Sequence, residues 1–299
     1  MKKTFIVIAL IMAVSLIFTS CDEEIDIPCT VKWAGIRIST YGMRKSYGKN
    51  FPDPTTMAGF AEKMEARYEG SNGAYVLIVG ELTGDNNDTC RLYFPVKGKY
   101  DFVIGSDEDK YESYLDKCDE LGIDVWLQVE PGYADLVTLA NLVMKQYSKH
   151  SCVKGFGIDV EWHKPVKGRD EGTRLSDSDA KKVLAKVRSF NKDYTVFVKH
   201  WDQKWLPSKI DGLIYVNDSQ KFDNMDQVLT EFSDWARYYA PNPVMFQIGY
   251  NADTWIWSQY SDPAKEFGQA IVDACNSGND VGVIWVDMTL SKVIDKTGK

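Results

Sequence analysis

The chain has 299 residues, 44% hydrophobic and 26% charged, which suffices for a large core and excludes a disordered or low-complexity chain. Its net charge of -8, with no lysine/arginine block, argues against nucleic acid as the main partner.

At the N-terminus, Lys2 and Lys3 precede an apolar run from Phe5 to Phe18, followed by Thr19-Ser20-Cys21. The run is short for a transmembrane helix. This order resembles a bacterial lipoprotein signal, although such signals usually carry leucine where Phe18 stands. The resemblance implies a signal peptide over 1–20, lipidation at Cys21, and an acidic tether over 21–30 containing Asp22, Glu23, Glu24 and Asp26. An ordinary secretory signal with Cys21 incidental is the alternative. The lipoprotein reading implies a lipid-anchored protein of the bacterial cell envelope, facing the periplasm or the cell surface, with the membrane and envelope proteins as partners. Export also permits disulfides. Of the other five cysteines, Cys29/Cys275 and Cys118/Cys152 precede strands that would be barrel neighbours, so these are the pairings to expect, with buried free thiols as the alternative.

From residue 31 onward, strand and helix patterns alternate. Strands are predicted at 31–40, 74–82, 123–130, 153–162, 194–200, 211–218, 243–250 and 280–287, and helices at 55–68, 111–121, 134–150, 176–191, 225–239 and 263–276. Ser176 is a predicted helix cap. Eight strands over about 250 residues predict a single α/β domain over 31–299, a (β/α)8 TIM barrel. A doubly wound open sheet is the other architecture, but no glycine-rich phosphate loop follows the first strand. The long links 84–109 and 163–175 read as loop excursions above the barrel.

The fourth strand, Gly155-Phe156-Gly157-Ile158-Asp159-Val160-Glu161-Trp162-His163, alternates with period two. Phe156, Ile158, Val160 and Trp162 share one face, while two glycines, Asp159, Glu161 and His163 share the other. Active sites of such barrels lie at the carboxyl ends of the strands. The residues expected there are Arg37, Ser39, Glu81, Gln128, Glu130, Asp159, Glu161, His163, Lys199, His200, Trp201, Asp202, Asn217, Asp218, Gln247, Tyr250, Trp285 and Asp287. Asp159 and Glu161 lie about 6.6 Å apart along an extended backbone, with Gln128 and Glu130 on the strand roughly 4.8 Å away. Neighbouring carboxylates raise one another's pKa, so one stays protonated as a general acid, which suits glycoside hydrolysis. The catalytic candidates are therefore Glu161, Asp159 and Glu130. A structural ion network with Lys199, Arg37 or His163 is the alternative.

The segment Gly157-Ile158-Asp159-Val160-Glu161-Trp162 resembles the fourth-strand signature of chitinase-like barrels, glycoside hydrolase family 18 and its endo-β-N-acetylglucosaminidase relatives, whose pattern is Asp-x-x-Asp-x-Asp-x-Glu. Aligned by chemistry, the resemblance makes Glu161 the acid and Asp159 the residue orienting a substrate acetamido group, with Gly157 and Lys154 replacing the two earlier aspartates. Aligned by Gly-Ile-Asp, His163 stands at the acid position. Trp285 resembles the tryptophan that floors the sugar site, while the third-strand Ser-x-Gly-Gly is replaced by Trp126-Leu127-Gln128-Val129-Glu130-Pro131-Gly132. The short Asp-x-Glu also resembles the fourth-strand pair of lysozyme-like barrels of family 25.

Trp201, Trp205, Tyr250, Trp255, Trp257 and Trp285 fall at or beyond strand ends, where flat rings can face sugar C–H surfaces; core packing is the alternative for each. Trp255 and Trp257 are the preferred platforms. Gln128, His163, Lys199, His200, Trp201, Asp218, Gln247, Tyr250, Trp255, Trp257, Trp285 and Asp287 are the expected substrate-binding set. His150 is expected to be solvated or to cap a helix. Asp159, Glu161, His163, His200 and Asp218 could also assemble a metal site, but no recognised metal spacing supports it, and no cofactor is expected. The expected partner is a glycan. A glycosidase, a catalytically silent glycan-binding barrel and a metal-dependent hydrolase are the functions to distinguish.

Overall fold

The computed structural model describes residues 26–84, 87–166 and 172–295. The proposed signal peptide and Cys21 lie outside the described residues.

Among the described residues, ten strands form one sheet: β1 (Thr30–Ile38), β2 (Asn72–Thr83), β3 (Thr89–Leu92), β4 (Val103–Gly105), β5 (Asp124–Val129), β6 (Val153–Asp159), β7 (Thr195–Lys199), β8 (Leu213–Asn217), β9 (Val244–Ile248) and β10 (Asp280–Trp285). Eight of them run β1-β10-β9-β8-β7-β6-β5-β2, all neighbours parallel, and β1 pairs with β2 to close the barrel. The predicted (β/α)8 barrel is thus the observed one. The extra strands β3 and β4 extend the sheet from the far end of β2, whose Gly80–Thr83 pairs antiparallel with β3.

Six predicted helices are present, α2 (Pro54–Glu65), α3 (Glu112–Leu121), α4 (Leu136–Tyr147), α5 (Asp177–Arg188), α6 (Met225–Tyr239) and α8 (Pro263–Asp273), joined by α1 (Thr40–Tyr47) and the single-turn α7 (Thr254–Trp257) and α9 (Leu290–Val293). The Ser176 hydroxyl accepts from Asp179 N–H at 3.1 Å, as a cap should. Between β7 and β8 the described chain makes only a 3-10 turn, Gln203–Trp205.

Strand alternation divides the apolar residues into two cores. Trp33, Ala74, Val76, Trp126, Phe197, Ile214, Val216, Met245 and Ile284 fill the barrel interior, whereas the opposite strand faces pack beneath the helices. The two glycines of β6 serve this packing. A Cβ on Gly157 would stand 2.1 Å from the Phe197 ring, and one on Gly155 would stand 1.9 Å from Thr195 O. The space they leave is occupied by the protein itself.

All five described cysteines are thiols. Cys29 and Cys275 are neighbours, with Cys29 N–H donating to Cys275 O at 3.2 Å. A hydrogen bond from the Cys275 thiol lowers Cys29 to about 5 despite burial. Burial raises the thiols of Cys118 and Cys152.

Candidate active site

Above the interior apolar layer, the next inward positions are polar, and their chemistry is organised around one cation. Lys199 ends β7 and is almost wholly buried. Its Nζ lies 2.5 Å from Glu161 Oε1, 2.5 Å from Asp218 Oδ2 and 3.2 Å from Asp159 Oδ1. Gln128 Nε2 donates to the other oxygen of Asp159 at 3.0 Å. On the opposite wall, Arg37 pairs with Asp287 at 2.7 Å, and the backbone N–H and hydroxyl of Ser39 donate to the same carboxylate. Tyr250 OH donates to Gln247 Oε1 at 3.3 Å, also in a buried position. Glu130 accepts from Leu82 N–H at 2.8 Å, and Glu81 accepts from Thr40 N–H and Tyr93 OH.

Several buried atoms in this ring have no hydrogen-bond partner, namely Gln128 Oε1, Asp218 Oδ1, Gln247 Nε2 and Arg37 Nε. Leaving such groups unpaired is costly. Four of them in one layer at the barrel mouth mark that layer as a candidate binding site.

The carboxylates differ in their proton affinities. Burial raises Glu161 well above the ordinary glutamate range, reinforced by Asp218 and opposed by Lys199. Burial also acts on Asp218, yet Lys199 and a hydrogen bond from Glu161 hold it below its ordinary value. Burial lifts Asp159 to about 6, against the pull of Lys199. Burial and the neighbouring Asp159 lift Glu130 to about 7. Glu161 thus holds its proton more tightly than an ordinary glutamate, and Asp218 beside it less tightly than an ordinary aspartate. Pairs pushed apart in this way mark acid and base roles. Lys199 is held charged, because its three carboxylates outweigh the burial that would discharge it. That removes it from use as an amine nucleophile, which must be neutral.

A cleft of about 590 Å³ opens over the cluster, lined by Glu161, Trp162, Trp201, Asp218, Ser219, Gln220 and Lys221. Trp201 is 39% exposed and supplies its aromatic wall. Trp162 was expected on the strand face opposite Asp159 and Glu161. Instead β6 ends at Asp159, and residues 160–162 form a 3-10 turn that breaks the period-two alternation. Both Asp159 and Glu161 still reach Lys199, but Trp162 swings toward the cleft and His163 leaves it. His163 is buried, its Nδ1 lies 3.0 Å from Thr173 O, and it lines a different groove.

Other expected ligand contacts are corrected by burial. Trp285 is fully buried among the helix-facing residues, its indole N–H donating to Thr289 Oγ1, and Trp257 packs on it edge-to-face at 5.7 Å. Neither is a sugar platform: odd positions of β10 face outward, while Ile284 takes the inward place. Trp255 is half exposed but does not line the cleft. His200 is fully buried, accepts from Asp202 N–H at 2.8 Å and stacks near Trp205. Asp287 is committed to Arg37 and Ser39. His150 is buried rather than solvated, with Nδ1 2.7 Å from Asp119. The five-residue metal set does not converge, since His163 turns away and the Lys199 ammonium holds the point the carboxylates share. Among the described residues, the group spaced to hold a cation is Glu112, Asp116 and His150, outside the barrel mouth.

The fold and site define a (β/α)8 barrel with a carboxylate–lysine cluster beneath an aromatic-walled cleft. No protein-family model matches the chain, and no curated protein matches it. Similar solved structures include the Parabacteroides merdae β-glucuronidase (TM-score 0.47, 14% identity, 86% of this chain and 31% of that one), so this chain spans about a third of its length. They also include an endo-1,4-β-mannanase from Eisenia fetida (TM-score 0.47, 10% identity, 87% and 85% of the two chains) and a 7,8-dihydropteroate synthase from Vibrio fischeri ES114 (0.40, 10%, 91% and 94%). At these values the likeness bears on neither the reaction nor the residues that perform it.

Proposed function

We propose that the protein is a glycoside hydrolase in which Glu161 is the proton donor. The observation that carries this reading is the split among carboxylates on one buried lysine, with Glu161 raised and Asp218 lowered beneath an open cleft. Glu161 gives its proton to the glycosidic oxygen, the bond from that oxygen to the anomeric carbon breaks, and positive charge develops on the sugar. Asp159 supports that charge, directly or by orienting a substrate acetamido group as the chitinase-like resemblance implies. Water then adds at the anomeric carbon, with Glu161 taking back a proton. Oxygens of Asp159 and Glu161 within 3.2 and 2.5 Å of the same nitrogen leave less room than the about 6.5–9.5 Å that an inverting water needs, which supports retention. Glycans containing N-acetylglucosamine are the proposed substrates.

One observation favours a silent glycan-binding barrel: Lys199 Nζ holds Glu161 Oε1 at 2.5 Å, where it competes with a substrate oxygen for the acid. Glu161→Gln separates the readings. Loss of about 10²–10⁴-fold in turnover, with sugar binding retained, is expected of a general acid. Full activity in the variant overturns the acid role, and binding by both forms without turnover by either establishes the silent barrel.

We also propose anchorage at the bacterial envelope through Cys21, motivated by the order of charged, apolar and small residues before it. Membrane fractionation of Cys21→Ala tests this.

A further inference from the structure

A second groove, of about 600 Å³, lies on the other side of the 160–164 turn, between the β3–β4 excursion and the first turns of α4 and α5. The turn walls both spaces. Glu161 and Trp162 face the cleft, and His163 and Lys164 face the groove.

Three aromatic rings in the groove are left in solvent, Tyr100, Phe102 and Tyr133, at 40%, 45% and 44% exposure. The Phe102 and Tyr133 rings lie 5.7 Å apart and tilted by 43°, forming an angled platform. Both are held from the backbone. Phe102 has φ +58, a left-handed conformation that costs a non-glycine residue on the order of 1–2 kcal/mol, and its carbonyl accepts from Cys90 N–H at 2.9 Å. Tyr133 N–H donates to Asp88 O at 2.8 Å, and its hydroxyl donates to Pro165 O at 3.0 Å. Gly132, at φ +55, permits this approach, since a Cβ there would stand 2.4 Å from Asp88 O. Strain that presents an aromatic ring to water, rather than burying it, points to a ligand.

The groove's rim carries charges of both signs, Lys99, Lys164 and Lys182 against Asp101, Asp135 and Asp179, so it selects for neither a polyanion nor a polycation. Apolar ring faces among short polar groups match a neutral molecule with flat C–H faces and hydroxyl edges.

We propose that this groove binds the sugar units of a neutral glycan remote from the bond being cleaved, the chain passing from the cleft over the Trp162–His163 turn. The proposal rests on the glycosidase reading for its ligand class, but its binding test does not require turnover.

The test uses the N-acetylglucosamine pentamer and cellopentaose in calorimetry, and a p-nitrophenyl glycoside of the N-acetylglucosamine dimer in kinetics. Removing both rings, in Phe102→Ala/Tyr133→Ala, should weaken pentamer binding at least about fivefold, the lower bound for losing two stacking contacts. Turnover of the short aryl glycoside should not change. Phe102→Gly keeps stability separate from binding: glycine accepts the positive φ, so Tm should hold or rise while affinity still falls. Unchanged pentamer affinity in these variants overturns the groove even if the enzyme is active. Lost affinity in a protein with no turnover keeps the groove and overturns the hydrolase. Failure of the wild type to bind either pentasaccharide overturns the groove proposal.

Discussion

Replacing Lys199 by methionine keeps most of the side-chain volume and removes the only charge that three buried carboxylates share in this cluster. In the wild type the ammonium lies within 3.2 Å of Asp159 and 2.5 Å of Glu161 and Asp218, and only 3% of its side chain is exposed. Deleting one partner of a buried pair costs about 3–5 kcal/mol, because the remaining charge is left uncompensated. The loss should therefore be about that size at pH 8. It should shrink as pH falls. Without Lys199, burial leaves the folded-state pKa values of Asp159, Glu161 and Asp218 above their unfolded values near 4, so the folded variant binds more protons than the unfolded chain and its stability declines as pH rises through that window. Urea unfolding followed by tryptophan fluorescence at pH 5 and pH 8 measures both quantities. A variant as stable as the wild type at pH 8, or one whose loss is the same at both pH values, would refute the charge network as the organiser of the site.

Glu130→Gln isolates a second buried carboxylate. Its pKa stands at about 7 when folded against 4.5 for the ordinary group, so between those pH values the wild type should lose about 2 kcal/mol more stability than the amide variant, which keeps only the loss due to Asp159 and Glu161. Identical pH–stability profiles for the two proteins would show that Glu130 ionises normally. Cys21→Ala should move the protein from the membrane to the soluble fraction; continued membrane association would show that Cys21 is not the anchor.

Much of the barrel was legible in the chain because its signals are local. Period-two runs mark strands whichever partners they find, and Ser176 caps its helix with atoms three residues away. Arg37, Gln128, Asp159, Lys199, Asp218 and Gln247, collected from the sequence as strand-end polar residues, all prove to be buried in the structure. The errors occur where parity ends. A single 3-10 turn after Asp159 redirected Trp162 into the cleft and His163 out of it, and nothing in the alternation announces that turn. Trp285 was misplaced for another reason: an aromatic near a strand end faces ligand or helix according to the phase of its strand, and this one faces the helices, where Trp257, from the short helix α7, packs on it.

The sequence alone determined eight strands, the alternation of the fourth as far as Asp159, and a carboxyl-rich barrel mouth, because each follows from spacing along one segment. Only the tertiary structure decided which charges meet. Asp159, Glu161, Lys199 and Asp218 come from three strands and the loops that follow them, and a lysine's place among three carboxylates depends on barrel closure and stagger. The exposed pair of Phe102 and Tyr133 likewise exists only because an excursion from β2 folds back beside the start of α4.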